Sequence, residues 1–208
     1  MIALARRLLL LATLTALAGC SGLLGGGGPP PQLYTLTAVP AADFASNLPR
    51  STIQLLVEVP VASGALDTER IALMRTTTTI DYFANAAWTD RAPIMVQGLL
   101  VESFENTGKI GAIGREGVAL RADYVLKPEL RDFTAVYTSG SDIPTIRVRM
   151  GLKLVRMSDR QIVDQRSVEA EERAQQNTVP AVVDAFNAAL HRAIRDAVAG
   201  TLPALSHS

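Results

Sequence analysis

Few residues in this chain are able to do covalent or acid–base chemistry. Among 208 residues there is one cysteine, Cys20, and there are two histidines, His191 and His207. Thioether formation needs a sulfur nucleophile, and Cys20 is the one candidate, set directly after the small residues Ala18 and Gly19. It has no core to join, since Ser21 to Gln32 follow with almost nothing to pack. The histidines have no metal-ligand spacing with each other or with the cysteine and read as ordinary surface groups. No nucleophile elbow and no zinc-protease helix motif is present. Gly25 to Gly28 have no strand before them and no Gly-Lys-Ser/Thr after them, which removes the phosphate-loop reading. Scattered acids could still meet in space as a hydrolytic carboxylate pair, but nothing in the sequence supports one.

What precedes Cys20 gives it a meaning. Arg6 and Arg7 lead into an apolar run from Leu8 to Ala18 that closes on Gly19, the three-part pattern of a secretory signal. The run stops well short of the roughly twenty apolar residues that span a bilayer. Leu17, Ala18, Gly19 and Cys20 resemble the lipobox of bacterial lipoproteins, which implies cleavage after Gly19 and acylation of Cys20. A single acyl chain holds a protein to a membrane only marginally, at about 0.8 kcal/mol per buried methylene, whereas the several chains a lipobox implies, palmitate among them, hold it firmly. In the lipoproteins this resembles, an aspartate after the cysteine retains the protein at the inner membrane; Ser21 therefore implies the outer one.

Cleavage after residue 19 of 208 leaves 189 residues, enough for one domain with a substantial core. The 20 basic residues include both signal arginines, so the mature chain carries 18 basic against 20 acidic groups. Near-neutrality without a basic cluster argues against nucleic acid as a partner. Seventeen arginines against three lysines is a compositional bias rather than a site. Once lipidated, the mature chain has no thiol left for a disulfide. The tether at residues 20–32 is flexible in its Gly-rich half and stiff at Pro29 to Pro31, and its twelve residues from Ser21 to Gln32 reach at most about 40 Å.

The folded part opens at Leu33 to Leu36 with strand-type alternation and continues with Ile53 to Val59, which ends at Pro60. Ile71 to Phe83 reads as two short strands turning near Thr76 to Thr79. After Trp88 the period changes: Thr89 or Asp90 caps a helix, Pro93 sits in its first turn, and Val96, Leu100 and Phe104 form its apolar face. Asn106 to Gly108 break it, and the glycines at 108, 111, 114 and 117 mark a weak strand. Asp123 to Tyr137 is a strand. Ile146, Val148, Met150, Leu152 and Leu154 alternate with Arg147, Arg149 and Lys153, and the chain turns at Ser158 to Arg160 and returns from Gln161 to Glu171 as an antiparallel hairpin. Arg147 and Arg149 share a face on which an anion could bind, or which is solvated and paired with acids such as Asp164 or Glu169. A last helix starts at Asn177 or Thr178, with Pro180 in its first turn. It carries the stripe Val182, Phe186, Leu190, Ile194 and Val198 or Ala197, and stops before Gly200. The expected fold is α+β: one domain, a mixed and largely antiparallel sheet packed by two main amphipathic helices.

In order along the chain, LYTL, VEVP, DYFANAAWTDRAP, ADYVLKPELRDF, the arginine-bearing hairpin and the helix AVVDAFNAAL resemble the ABC-type transport auxiliary lipoproteins, the PqiC-like proteins found with MCE-domain lipid transport systems of Gram-negative bacteria. The likeness runs from about Leu33 to Leu202. It implies a signal peptide at 1–19, a lipidated tether at 20–32, the auxiliary domain at 33–202 and a tail at 203–208. It also implies a noncatalytic periplasmic domain without cofactor or metal, held at the outer membrane through Cys20. Its partners would be an MCE substrate-binding protein and the ABC permease and ATPase, with further copies of itself in a ring. One departure concerns Leu66 and Asp67, where Thr68 and Glu69 intervene before Arg70 and the arginine expected directly after the aspartate is missing. A lipid carrier with its own cavity is the alternative, with Phe83, Trp88 and Phe104 as wall candidates.

Overall fold

The alternating segments do become strands, in the order β1 (Gln32–Tyr34), β2 (Ser51–Val57), β3 (Val61–Ala62), β4 (Arg70–Thr76) and β5 (Thr79–Trp88), then helix α1 (Ala92–Asn106). The chain continues through β6 (Ile110–Arg115), β7 (Tyr124–Val136), β8 (Thr145–Arg156) and β9 (Gln161–Arg173) to helix α2 (Val179–Ser206). A computed structural model describes residues 30–115 and 121–206. The signal segment, Cys20, Ser21, most of the tether, Gly117 and His207 lie outside the described residues. The chain divides into Met1–Pro31 and Gln32–Ser208, and the second unit holds every element named here.

Strand β7 is the axis of a nine-stranded sheet. Along one edge it pairs antiparallel with β8 from Tyr124↔Arg156 to Val136↔Thr145, and β8 pairs antiparallel with β9 over its whole length. Along the other edge it takes three short parallel partners in succession: β2 at Tyr124–Leu126, β3 at Glu129–Leu130 and β4 at Ala135–Val136. The sheet therefore forks. Strand β6 continues it beyond β2, while β5 and then β1 continue it beyond β4. The long ladders are antiparallel and the parallel ones short, as the alternation in β8 and β9 leads one to expect.

Both helices lie on one face. At about 1.5 Å per residue the 28 residues of α2 span about 42 Å, and the 13 residues of β9 at about 3.3 Å each span nearly the same. Helix and hairpin are thus matched in length. Tyr137 Oη donates to Asn177 Oδ1 at 2.8 Å at one end, and Ser51 Oγ donates to the Leu205 carbonyl at 3.3 Å at the other. The predicted stripe of Val182, Phe186, Leu190, Ile194, Ala197 and Val198 is fully buried, opposite Ile146, Val148, Met150, Leu152 and Leu154 of β8. Phe186 closes a ring cluster with Trp88 and Phe133, with centroids 5.2 and 4.9 Å away. Helix α1 buries Val96, Leu100 and Phe104 as expected, and also Gln97 and Ser103, which with the half-buried Asn106 complete backbone pairing elsewhere. Gln97 donates to the Val57 carbonyl, Ser103 accepts from the Val39 amide and Asn106 donates to the Val39 carbonyl. Buried backbone groups need such partners.

Several local expectations are corrected. Helix α2 does not stop before Gly200 but runs through Pro203 to Ser206. Gly200 is an internal glycine because the Arg166 side chain lies over it, where a Cβ would collide with the guanidinium. Asn177 turns to Tyr137, leaving Thr178 at the cap, its carbonyl accepting from the Val182 amide. In α1 neither Thr89 nor Asp90 caps the helix; Arg91 takes the cap position, and the Thr68 carbonyl receives the Ala92 amide. Gly111 in β6 is required by close approach, since a Cβ there would lie 2.5 Å from the Thr52 carbonyl oxygen.

Phe186→Ala is expected to cost about 3–5 kcal/mol in urea unfolding, the range for emptying a buried aromatic site. Gly111→Ala should cost about 1–3 kcal/mol by the same measurement, because backbone, unlike a flexible side chain, cannot step aside. An unchanged midpoint for either variant would contradict the packing described.

Candidate functional site

Cys20 carries the chemistry legible in the sequence and lies outside the described residues, so the site that can be built here is the surface of the domain. The sheet face opposite the helices is polar. It is made by Lys127, Glu129 and Arg131 of β7, Arg147, Arg149, Gly151 and Lys153 of β8, and Gln165, Ser167, Glu169 and Glu171 of β9, brought together by register. Inward positions of β8 are all apolar, so its outward ones are free to be charged.

Arg147 and Arg149 do share that face, but their partners differ from the expected ones. Arg147 Nε donates to Glu171 Oε1 at 2.8 Å, and Arg149 Nη2 meets Asp132 Oδ2 at 2.7 Å. A bulge between Leu130 and Asp132 moves Asp132 into register with Arg149. Asp164 is taken by Arg166 at 2.7 Å, and Glu169, although opposite Arg149, makes no ion pair among the described residues. The hydrogen bond to Glu171 raises the Arg147 pKa above its usual value, so this guanidinium is a fixed charge. Glu129 is held below the usual carboxylate range, chiefly by its hydrogen bond from Arg131, with the charges of Arg131 and Lys153 adding to it.

Beside this ion-pair grid lie two hollows that share Val61, Glu129 and Arg131. One, of about 350 Å³, is lined also by Glu58, Lys127, Gly151, Lys153 and Gln165. The other, of about 340 Å³, reaches Ser63 and Arg149. A third hollow, of about 410 Å³, sits beside the β8–β9 turn against Ile53, Arg121, Tyr124 and Met157.

Other sequence candidates find structural roles. Trp88 and Phe104 are closed in the core and Phe83 is half-buried against it, so packing uses the side chains that the cavity reading needed. His191 is more than a solvated group: its Nε2 lies 2.9 Å from the Thr37 carbonyl oxygen, to which it can donate, while Asn187 Oδ1 accepts from the Thr37 amide. Together they fasten the segment after β1 to α2, a pairing across 150 residues and more that no local pattern announces. Asp67 receives Arg91 at 3.0 Å, so an arginine from the start of α1 supplies the charge missing beside it in sequence. Among the described residues no group of three or more His, Cys, Asp or Glu could hold a metal ion, and no helix is long and apolar enough to cross a membrane.

Comparison with known proteins adds the family. The chain is 32% identical over 193 residues to an uncharacterized protein of Bradyrhizobium diazoefficiens, covering 91% of this chain and 50% of that one; it spans about half the length of that curated relative. A crystal structure of a Xanthomonas campestris protein of the DUF330 family superposes with a TM-score of 0.77 at 28% identity, over 85% of this chain and 97% of that one. A second crystal structure, of an uncharacterized protein, shares the fold at 12% identity with a TM-score of 0.64, over 83% of this chain and 99% of that one. With the ABC-type transport auxiliary lipoprotein component model matching residues 34–198, from the last residue of β1 to deep within α2, the chain belongs to that family.

Proposed function

We propose that this protein is a lipid-anchored, noncatalytic auxiliary component of an ABC transport system of the MCE type that moves lipids between the two membranes of a Gram-negative envelope, and that it thereby supports envelope integrity. The observation that carries the reading is the family match over residues 34–198, which follows a signal-like segment ending in Leu-Ala-Gly-Cys and a short Gly/Pro-rich spacer. Cys20 is the attachment residue, bearing acyl chains including palmitate, and Ser21 directs the protein to the outer membrane with its domain in the periplasm. A lipid-tethered domain on a short spacer is concentrated near anything docked at that membrane without needing high affinity of its own. Its partners are the MCE substrate-binding protein with its permease and ATPase, and the domain works as a ring of copies. The polar sheet face, built of paired charges rather than a nucleophile with a base, suits recognition better than catalysis.

Cys20→Ser should give an unprocessed, unacylated precursor that leaves the outer-membrane fraction and weakens resistance to detergents; a variant still processed and still in that fraction would defeat the anchor. Wild-type protein solubilised in mild detergent should bring an MCE protein or permease with it. Recovery without either component, from cells expressing both, counts against the transport assignment and leaves the anchor untouched.

A further inference from the structure

The chain has three lysines, and two of them, Lys127 and Lys153, stand directly opposite one another across β7 and β8. Like charges at such a pair are destabilising. Lys127 is neutralised by Glu58 Oε1 at 2.5 Å. Lys153 makes no hydrogen bond or ion pair among the described residues; Gln165, opposite it on β9, brings no charge, and Glu129 feels it only at longer range. Both lysines line the hollow of about 350 Å³. Its floor is Gly151 in the middle of a central strand, a position where glycine weakens a sheet and often marks close approach by another group. Here the Arg131 guanidinium lies over the glycine, where a Cβ would come within 2.7 Å of Nη2. Glu129 Oε2 takes the Nε and Nη2 of Arg131, which leaves further N–H donors at the hollow. Lys127, Lys153 and Arg131 against Glu58 and Glu129 leave the hollow with an excess of positive charge.

We infer that this hollow on the outer sheet face, bounded by Lys127, Arg131, Gly151 and Lys153, is a binding site for a phosphate ester. Two ammonium groups and a guanidinium approaching from two strands match the several oxygens of a phosphate better than the two of a carboxylate. The space beside them, walled by Val61, admits a small esterified group such as glycerol. A bound phosphate supplies the second counter-charge to the Lys127–Lys153 pair, of which Glu58 reaches only Lys127. The same chemistry is offered by a soluble phosphate ester and by the headgroup of an anionic phospholipid. The site rests on the geometry of the sheet and is independent of the anchoring at Cys20.

Amine acylation resolved by mass spectrometry tests this, with Lys109 as internal reference, since it lies elsewhere, bound to the Ser46 carbonyl. The full chain in nonionic detergent is labelled with and without glycerol 3-phosphate, and separately after mixing with vesicles of phosphatidylcholine alone or with phosphatidylglycerol. At nine-tenths occupancy Lys153 labelling should slow about tenfold while Lys109 is unaffected. Protection by glycerol 3-phosphate identifies a soluble ester as sufficient; protection only by phosphatidylglycerol identifies the lipid headgroup. Protection in neither arm, or equal protection of Lys109, overturns the site. Lys153→Gln should keep the unliganded Tm or raise it, because a repulsion is removed, and should abolish any ligand-induced rise in Tm. A lower unliganded Tm, or a ligand effect that survives the substitution, would show the lysine to be structural and would equally overturn the proposal.

Discussion

The domain depends on the seating of one long helix. The apolar stripe of α2 covers the inner face of β8, and the Trp88–Phe133–Phe186 ring cluster ties this contact to the far arm of the fork through β5. Each fully buried Val, Leu, Ile or Phe side chain contributes roughly 1.5–3 kcal/mol, so the five of them in the stripe, beside Ala197, outweigh any single ion pair on the outer face. The match in length between α2 and the hairpin makes this efficient, since a shorter helix would leave one end of β8 uncovered. It also accounts for Gly200 and Pro203. The helix must continue past Gly200 to reach Leu202 and past Pro203 to reach Leu205, both of which are buried, and a glycine is accepted where Arg166 crosses the surface.

Most of this could be read in the sequence where one periodicity dominates. The β8 alternation, the α2 stripe, the Thr-rich turn between β4 and β5 and the α1 face each follow from side-chain spacing alone, because burial on one face imposes its period on the residues. What failed were signals whose meaning depends on distant partners. Gly200 carries the composition of a helix stop, but Arg166, from β9, decides what it does. Asn177 looks like a cap until Tyr137 claims its side chain, and at the start of α1 the Ala92 amide goes to the Thr68 carbonyl while the Asp90 side chain takes only the Arg91 amide before the helix. The partner of Arg149 was hidden by a bulge, which no alternation pattern displays.

The outer face obeys a different constraint. With β8 committed inward to five apolar side chains, its outward positions are open to selection for charge, and exposed ion pairs contribute about 0–1 kcal/mol each. Their arrangement is therefore not dictated by stability. Arg147 with Glu171 and Arg149 with Asp132 form closed pairs, whereas the lysine pair beside Gly151 has one acid for two cations within contact distance. The class of a paired charge is visible in the sequence; whether it is paired is not, since that depends on register.

The beginning of the domain is fastened in a way that suits a tethered protein. Strand β1 is only three residues long and pairs parallel with the end of β5, a ladder too short to resist much force alone. Just after it, Leu36 and Val39 are buried, Thr37 is held by Asn187 and His191 of α2, and both backbone groups of Val39 are held by α1. A pull arriving along the chain at Gln32 is therefore passed within a few residues to both helices and so to the core. The edge ladder does not have to bear it. Side-chain latches that satisfy buried backbone groups let an irregular segment be as firm as a strand, and this segment is the one through which any anchor at Cys20 must act.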